Sequence, residues 1–540
     1  MPKVTIDERT IEVAAGTNLV EAALEVGVQI PHYCYHPRLS VVGQCRMCMV
    51  EVEGMPKLQA ACSTPVVRDG MVVRTQSPAA AEAQRAIMEF LLINHPLDCP
   101  ICDQAGECGL QDYSFKHGQA FSRFRFEEKR VFPEKERIPL GPTVMLNMNR
   151  CIQCTRCVRF TEEISRTGEI GFFQRGANTE IGTVPGRPLD NPLSTCVVDI
   201  CPVGALTSTR FRFAERVWYL DKKPSLCTGC DAGCNITLEH RRGSIKRYKP
   251  RFNPAVNDYW MCDHGRASHE SYREEQRLLT PLVRRGGELA AAGWKDAVDI
   301  LFQGLRAKRA DGAVAILGSG FLTTEEAFLL ARLAALLETP HRSIWVDSGP
   351  PRRIPNPQGG VVGRDAAPNR RGAELAGLVP GVEGMDAETL LLEDGADRCS
   401  ALFVADSAFG KAARDPKVVD RLRKARFLAV MGWADTPLAR AADLVLPTAT
   451  HAEREGSFVN VQGRLQRFER AFPAPPQVRP ALELLAELLA RFDPQWASVT
   501  TATAFDLLAE EVAIFDGLRW ATLPAEGHPL APSERNEGAA

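Results

Sequence analysis

Sixteen of the chain's 17 cysteines lie before residue 263, and fifteen of them, joined by one histidine, sort into four sets of four. Cys34, Cys45, Cys48 and Cys62 are separated by ten, two and thirteen residues, and His95, Cys99, Cys102 and Cys108 by three, two and five. Cys151, Cys154 and Cys157 form a Cys-x-x-Cys-x-x-Cys run completed by Cys201-Pro202, while Cys227, Cys230, Cys234 and Cys262 leave two, three and 27 residues between them. Soft thiolates at this density hold several metal centres close together, which is the chemistry of one-electron transfer rather than of bond making. No acid, base or nucleophile is assigned a catalytic role.

Each set admits its own reading. In the first, a Cys-x-x-Cys turn binds one face of a cluster and flanking loops supply the outer thiolates, with Gly43 letting the loop close on the site. Zinc or bare structure is the alternative there. In the second, His95 taken alone is a helix-end histidine meeting free carbonyls. Three cysteines close by and no fourth make it a ligand, and a neutral imidazole in place of a thiolate raises the site's potential. The third set is half of a bacterial two-cluster ferredoxin: Thr161 stands where the ligand to a second cluster would be, so the segment supports a single 4Fe-4S centre. Arg150, Arg156 and Arg159 surround it, either tuning its potential or lying partly solvated or bound to a partner. Cys196 is the spare, a buried thiol or a rival ligand. Four thiolates in the last set suit 4Fe-4S or zinc, and the company it keeps favours iron-sulfur.

The elements that must position these ligands are legible in outline. Residues 3–6 and 10–13 alternate as strands around Asp7-Glu8-Arg9, and Asn18 with Glu21 makes a capping-box start for a helix ending near Gly27. Ser77 to Asn94 reads as a helix stopped by Pro96, followed by a charged, weakly periodic connection of about 40 residues. After about residue 280 cysteine nearly vanishes. Short apolar runs at 313–317, 343–346, 401–405 and 427–430 suit parallel strands, with helices between them, notably 323–338 under a Thr323/Glu326 capping box. Residues 347–372 read as a loop rich in proline, glycine and arginine, and 521–540 as a disordered tail. Gly318-Ser-Gly320 lacks the third glycine of a dinucleotide fingerprint, since Thr323 fills that place. Cys399 precedes a strand and belongs to the core.

Composition sets the bounds. A net charge of -2 and scattered lysines and arginines exclude a nucleic-acid protein. No export signal or run of about 18 apolar residues is present, so a cytoplasmic protein that meets a membrane only through partners is expected. In a reducing compartment, clustered thiols are metal ligands rather than disulfides.

The order and wording of the motifs resemble the NuoG family, the large iron-sulfur subunit of bacterial NADH:quinone oxidoreductase, respiratory complex I. The resemblance rests on Pro31-His-Tyr-Cys34, Gly43-Gln-Cys-Arg-Met-Cys48, Cys99-Pro-Ile-Cys-Asp-Gln-Ala-Gly-Glu-Cys108, Asn149-Arg-Cys-Ile-Gln-Cys-Thr-Arg-Cys157 and Asp199-Ile-Cys-Pro-Val-Gly-Ala205. It implies one 2Fe-2S cluster and three 4Fe-4S clusters on the four sets, the last lying off the main electron path. Ala367 to Ala373 and Glu455 to Gln466 resemble a molybdopterin oxidoreductase domain that has lost its cofactor; no cysteine lies between Cys262 and Cys399, and the chain is shorter than members of this type. The implied architecture is α+β followed by α/β. It runs as a β-grasp 2Fe-2S domain (1–78), a histidine-and-cysteine 4Fe-4S segment (79–118), a 4Fe-4S ferredoxin-like domain (119–215), a four-cysteine 4Fe-4S domain (216–272) and the molybdopterin-oxidoreductase-like domain (273–520). The expected partners are other peripheral-arm subunits, including the one that binds NADH and FMN, on the cytoplasmic face of the inner membrane. The competing readings are a molybdenum formate dehydrogenase and the relay subunit of a soluble NAD-linked hydrogenase.

Overall fold

The computed structural model describes residues 1–272, 274–307, 312–405 and 410–530, and the chain divides into two compact units, 1–220 and 221–540. The first unit opens on a hairpin, Lys3–Ile6 with Arg9–Glu12, turned by Asp7 and Glu8 at φ 42° and 71°. Two successive left-handed residues make the turn whose twist matches its strands. Asn18 caps the helix Leu19–Glu25 by accepting the N–H groups of Val20 and Glu21. The expected capping box is not completed, because the Glu21 carboxylate accepts the Tyr35 hydroxyl at 2.5 Å instead. Strands Met71–Arg74, Met49–Val52 and Gln59–Ala60 complete a five-stranded sheet in which Lys3–Ile6 runs parallel to Met71–Arg74. Val4, Ile6, Leu19, Val20, Val50 and Val73 fill the core of this β-grasp layer.

Ser77 caps the next helix, Pro78–Leu92, with proline at its first position. The connection beyond it is more ordered than its composition suggests. It contains a helix, Gly109–His117, whose only buried residue is Leu110, so its sequence carries no apolar period to read. Farther on, Val144–Leu146 pairs antiparallel with Leu206–Ser208, which draws the third set's two stretches together. The insertion between them is a hairpin, Ile170–Phe173 with Glu180–Thr183.

The second unit begins with a three-stranded antiparallel sheet, Asp221–Leu226, Asn235–Arg241 and Ser244–Pro250, that carries the fourth cysteine set at its ends. Beyond it the expected parallel runs appear as Ala313–Ser319, Arg342–Trp345, Cys399–Ala405 and Leu428–Gly432, joined by Leu444–Pro447 and an antiparallel hairpin, Leu282–Arg285 with Glu288–Ala291. Ile316, Phe403 and Met431 point into one apolar cluster and Leu317, Val404 and Val430 into another, as strands covered by helices on both faces require. Thr323 and Glu326 form the full capping box of helix Thr324–Leu336. Gly318 and Gly320 are packing glycines: a Cβ would stand 2.9 Å from Leu322 and 2.6 Å from Val346.

Two expectations for this unit fail. The region 347–372 is not a loop but a ribbon, Ser348–Ile354 with Val361–Asp365, followed by a short helix, Arg370–Leu375. A two-stranded ribbon has two free edges, so Pro350 and Pro351 cost it no ladder bond. Residues 521–530 are not disordered: His528–Pro529 pairs with Arg464 and Leu465, and Leu523 and Leu530 join the apolar cluster. The rest of the expected tail, 531–540, lies outside the described residues. Among the described residues no helix is long and apolar enough to cross a membrane.

Candidate metal centres

All 17 thiols are free of disulfides. In the first set Cys34 and Cys45 sit in the loop before strand Met49–Val52, Cys48 ends that loop and Cys62 lies in the turn Ala61–Ser63. Cys34, Cys48 and Cys62 are buried, and the N–H groups of Tyr33 and Cys34 both donate to Cys45 Sγ at 3.4 Å. The four thiols are electrostatically coupled: Cys45 and Cys62 hold the Cys34 thiol low, Cys62 holds Cys48 low, and Cys34 pushes both Cys45 and Cys62 up. Gly43 adopts a left-handed backbone, φ 59°, and a Cβ there would meet no protein atom within 4 Å.

The second set lies around a cavity lined by His95, Asp98, Cys99, Cys102, Ala105, Cys108, Gln111, Arg150 and Gly204. His95 follows the helix Pro78–Leu92 but does not serve the helix end, because Lys129 Nζ donates to the carbonyls of Leu92 and Ile93 at 2.7 and 2.9 Å. Burial, aided by Arg150 and Lys129, depresses the imidazole to about 4, leaving it neutral and able to ligate. Burial also pushes the Cys108 thiol up to about 11. Gly204 is a cradle, since a Cβ there would stand 2.2 Å from Cys102 Sγ.

The third set encloses a second cavity, walled by Cys151, Cys154, Cys157 and Cys201 together with Ile181, Val203 and Leu206. Gln153 and Thr155 alternate with these ligands in left-handed conformations, φ 52° and 68°, and Arg46 beside Cys45 does the same at 58°. Non-glycine residues held there carry about 1–3 kcal/mol of strain each, which marks backbone bent to a purpose. Burial pushes Cys154 up to about 11 and Cys157 well above the ordinary thiol range. Thiols so buried ionise only with cations to hold them, which a metal centre provides. Thr161 is wholly buried and donates to the Val158 carbonyl at 2.9 Å, a helical back-bond where a second cluster's ligand would have been. Cys196 is buried on the helix Cys196–Ile200 and is not in the cavity wall.

The arginines differ from the expectation. Arg150 belongs to the second cavity, where its Nε and Nη2 donate to Asp98 Oδ2 at 3.0 and 2.7 Å. Arg159 is buried and Arg156 is partly exposed, and both are bonded to backbone carbonyls. Arg159, 5% exposed, donates from Nη2 to the carbonyls of Cys34 at 2.6 Å and Cys154 at 3.3 Å, and Arg156 spans the carbonyls of Tyr35 and Ile200. Two guanidinium groups therefore clamp the first set to the third. The second set adjoins the third through Gly204 and through Cys108 Sγ, 4.0 Å from the Pro202 carbonyl. Nothing in the spacing signalled Asp98 or Lys129; Gly204, three residues after Cys201, was a readable sign of close approach.

In the second unit all four cysteines of the last set are buried. Gly229 N–H donates to Cys227 Sγ at 3.4 Å and Gly265 N–H to Cys262 Sγ at 3.3 Å, while a Cβ on Gly265 would stand 2.8 Å from Cys227 Sγ and 3.5 Å from Cys262 Sγ. Burial pushes Cys230 up to about 12 and Cys234 well above the ordinary range. Among the described residues no three His, Cys, Asp or Glu side chains close around one point as a single-ion site does. The second and third sets line cavities instead.

Comparison with known proteins assigns these regions in chain order. Residues 2–78 match a 2Fe-2S iron-sulfur cluster binding domain, and 84–123 the NADH-ubiquinone oxidoreductase-G iron-sulfur binding region. Residues 141–207 match the ferredoxin-like domain of NADH-quinone oxidoreductase subunit 3. Residues 220–273 match the molybdopterin oxidoreductase Fe4S4 domain, and 277–342 with 381–491 molybdopterin oxidoreductase. The chain is 44% identical over 333 residues to the NuoG-type subunit of NADH-quinone oxidoreductase from Streptomyces coelicolor, covering 61% of this chain and 39% of that one. It is 40% identical over 344 residues to the same subunit from Rickettsia conorii, covering 64% and 50%. It is 44% identical over 299 residues to the mitochondrial 78 kDa subunit of NADH-ubiquinone oxidoreductase of Neurospora crassa, covering 55% and 39%. The matched part thus spans half or less of the length of these curated relatives.

Proposed function

From the premise that the chain belongs to the NuoG family of NADH-quinone oxidoreductase subunits, we propose that it is an electron-relay subunit of such a complex, taking electrons from an NADH- and FMN-binding partner towards a quinone-reducing module. The observation that carries the reading is the clamp of Arg156 and Arg159, which holds the first and third ligand sets against each other by backbone bonds on both sides. A relay needs its stations at fixed, short separations, and a storage or zinc protein does not.

The ligands are Cys34, Cys45, Cys48 and Cys62 for a 2Fe-2S cluster, and His95 with Cys99, Cys102 and Cys108, Cys151, Cys154, Cys157 and Cys201, and Cys227, Cys230, Cys234 and Cys262 for three 4Fe-4S clusters. When bound, the clusters supply reversible one-electron transfer. The chain's own residues do the rest. The His95 imidazole is kept neutral, the Arg150–Asp98 pair sets charge at the second cavity, and backbone N–H groups donate to ligand sulfur in the first and last sets. No catalytic side chain is needed. The molybdopterin-oxidoreductase-like domain works as a scaffold without that cofactor, and the subunit joins the cytoplasmic face of the membrane only through partners.

The test is reduction of the anaerobic protein, alone and with an NADH- and flavin-bearing partner subunit, followed by low-temperature EPR. The relay reading predicts that NADH reduces the clusters only when the partner is present. Formate oxidation or hydrogen uptake by the chain alone would favour the formate dehydrogenase or hydrogenase reading instead.

A further inference from the structure

The ribbon Ser348–Ile354 with Val361–Asp365 lies beside the fourth cysteine set, and the ligand spacing did not call for it. It packs on that set through Gly363, where a Cβ would stand 2.8 Å from Cys230 Sγ and 2.9 Å from Asp231 Oδ1. Asp231, the residue after Cys230, locks the contact by accepting the N–H groups of Arg364 and Asp365 at 2.7 and 3.2 Å. Directly across the ribbon from Gly363 is Arg352. Between the paired positions Ser348↔Asp365 and Arg352↔Gly363 the first strand has three residues, Gly349, Pro350 and Pro351, opposite Arg364 alone, and such a bulge re-aims the side chain that follows it. The guanidinium lies over Gly349, whose missing side chain makes room for it: a Cβ there would stand 3.0 Å from Nη1 and 3.2 Å from Nη2.

Arg352 Nη1 is buried and, among the described residues, has no hydrogen-bond partner. An unpaired donor on a buried cation is costly, so such a group is held for an acceptor. The surroundings supply one chemistry. Gly363, the pair of Arg352 across the ribbon, abuts Cys230 Sγ, and side chains at paired positions share one face, so the fourth set lies on the face that carries Arg352.

We propose that Arg352 is a positioning and tuning residue of the fourth centre: its guanidinium donates to the sulfur of that centre and its fixed charge raises the centre's potential, with Gly349 and Gly363 as the two gaps that let the ribbon bring it there. The proposal rests on the reading of Cys227, Cys230, Cys234 and Cys262 as iron-sulfur ligands. A fixed positive charge stabilises the more negative, reduced state, so removing it makes the centre harder to reduce.

The experiment is an anaerobic redox titration of the full chain by low-temperature EPR, with iron and sulfide counted on the same samples, for Arg352→Gln, Arg352→Lys and Gly363→Ala. At the poise that half-reduces the fourth centre of the unaltered protein, Arg352→Gln is expected to leave roughly a tenfold lower reduced-to-oxidised ratio, while Arg352→Lys stays close to the unaltered ratio. Gly363→Ala, which keeps the charge but pushes the ribbon off Cys230, is expected to fall between them. An unchanged ratio in Arg352→Gln at full iron content overturns the proposal. If Arg352→Gln and Arg352→Lys both lose about four irons, Arg352 is a structural residue and the tuning role is overturned. Failure of the underlying ligand reading has a separate signature: Cys262→Ser would leave the iron count unchanged, and the proposal would fall with that reading.

Discussion

The ligand-bearing stretches of the first unit and the seven-stranded domain of the second are built on opposite principles. Between residues 144 and 208 the elements are short, a helical stretch Arg156–Ile164 that passes from α to π, a five-residue helix at Cys196–Ile200 and strands of three or four residues, and a cavity lined by four thiols sits among them. Helices this short do not stand alone in water. In the second unit, Cys399–Ala405 is buried at all seven positions and helix Thr324–Leu336 buries nine of its residues. The first region gathers its sulfurs around a cavity and ties them in place with arginines bonded to backbone; the second is organised by apolar burial.

The largest test of that contrast is removal of iron. Chelation under reducing conditions is expected to unprotect the amides of residues 95–108 and 151–201 in hydrogen exchange while strands 313–319, 399–405 and 428–432 stay protected. Equal loss in both regions would erase the distinction. Next in size is the buried Glu326–Arg454 ion pair, 2.9 Å, in the second unit. Arg454→Met leaves the carboxylate unpaired and is expected to cost about 3–5 kcal/mol, read by denaturation, with the EPR of the first unit unchanged. Arg159→Met is the counterpart in the first unit. It strips donors from the Cys34 and Cys154 carbonyls and is expected to cost about 2–3 kcal/mol there. It should also weaken the magnetic coupling between the two neighbouring centres.

The smallest effect is a pH dependence confined to the second unit. Burial raises the Glu325 carboxyl to about 7, against bonds from Ser457 N–H at 3.0 Å and Oγ at 2.6 Å that favour its ionised form. The folded state then binds a proton that the unfolded state has released, so stability declines as pH rises from about 4.5 through about 7. Glu325→Gln is expected to flatten that decline in urea titrations at pH 5 and pH 8, and an undiminished slope would assign it to another group.

What the residues disclosed in advance follows the same division. The cysteine sets are local spacings of rare residues, so Cys151, Cys154, Cys157 and Cys201 could be grouped in advance and do line one cavity, and the parallel strands could be read from their unbroken apolar runs. The partners of those ligands were not legible, because each is distant in sequence: Arg159 meets Cys34 across 125 positions and Asp98 meets Arg150 across 52. The helix Gly109–His117 escaped for want of an apolar stripe, and the ribbon 348–365 because Pro350-Pro351 disguises a strand. The ordered residues 521–530 escaped because two buried leucines are too few to outweigh polar neighbours.

The central claim is that this chain cages inorganic sulfide in four places, and metal analysis of anaerobically purified full-length protein tests it most directly. The account predicts a brown protein with about 14 irons and matching acid-labile sulfide per chain, falling by about four on Cys154→Ser. A colourless protein holding stoichiometric zinc and no sulfide would contradict it.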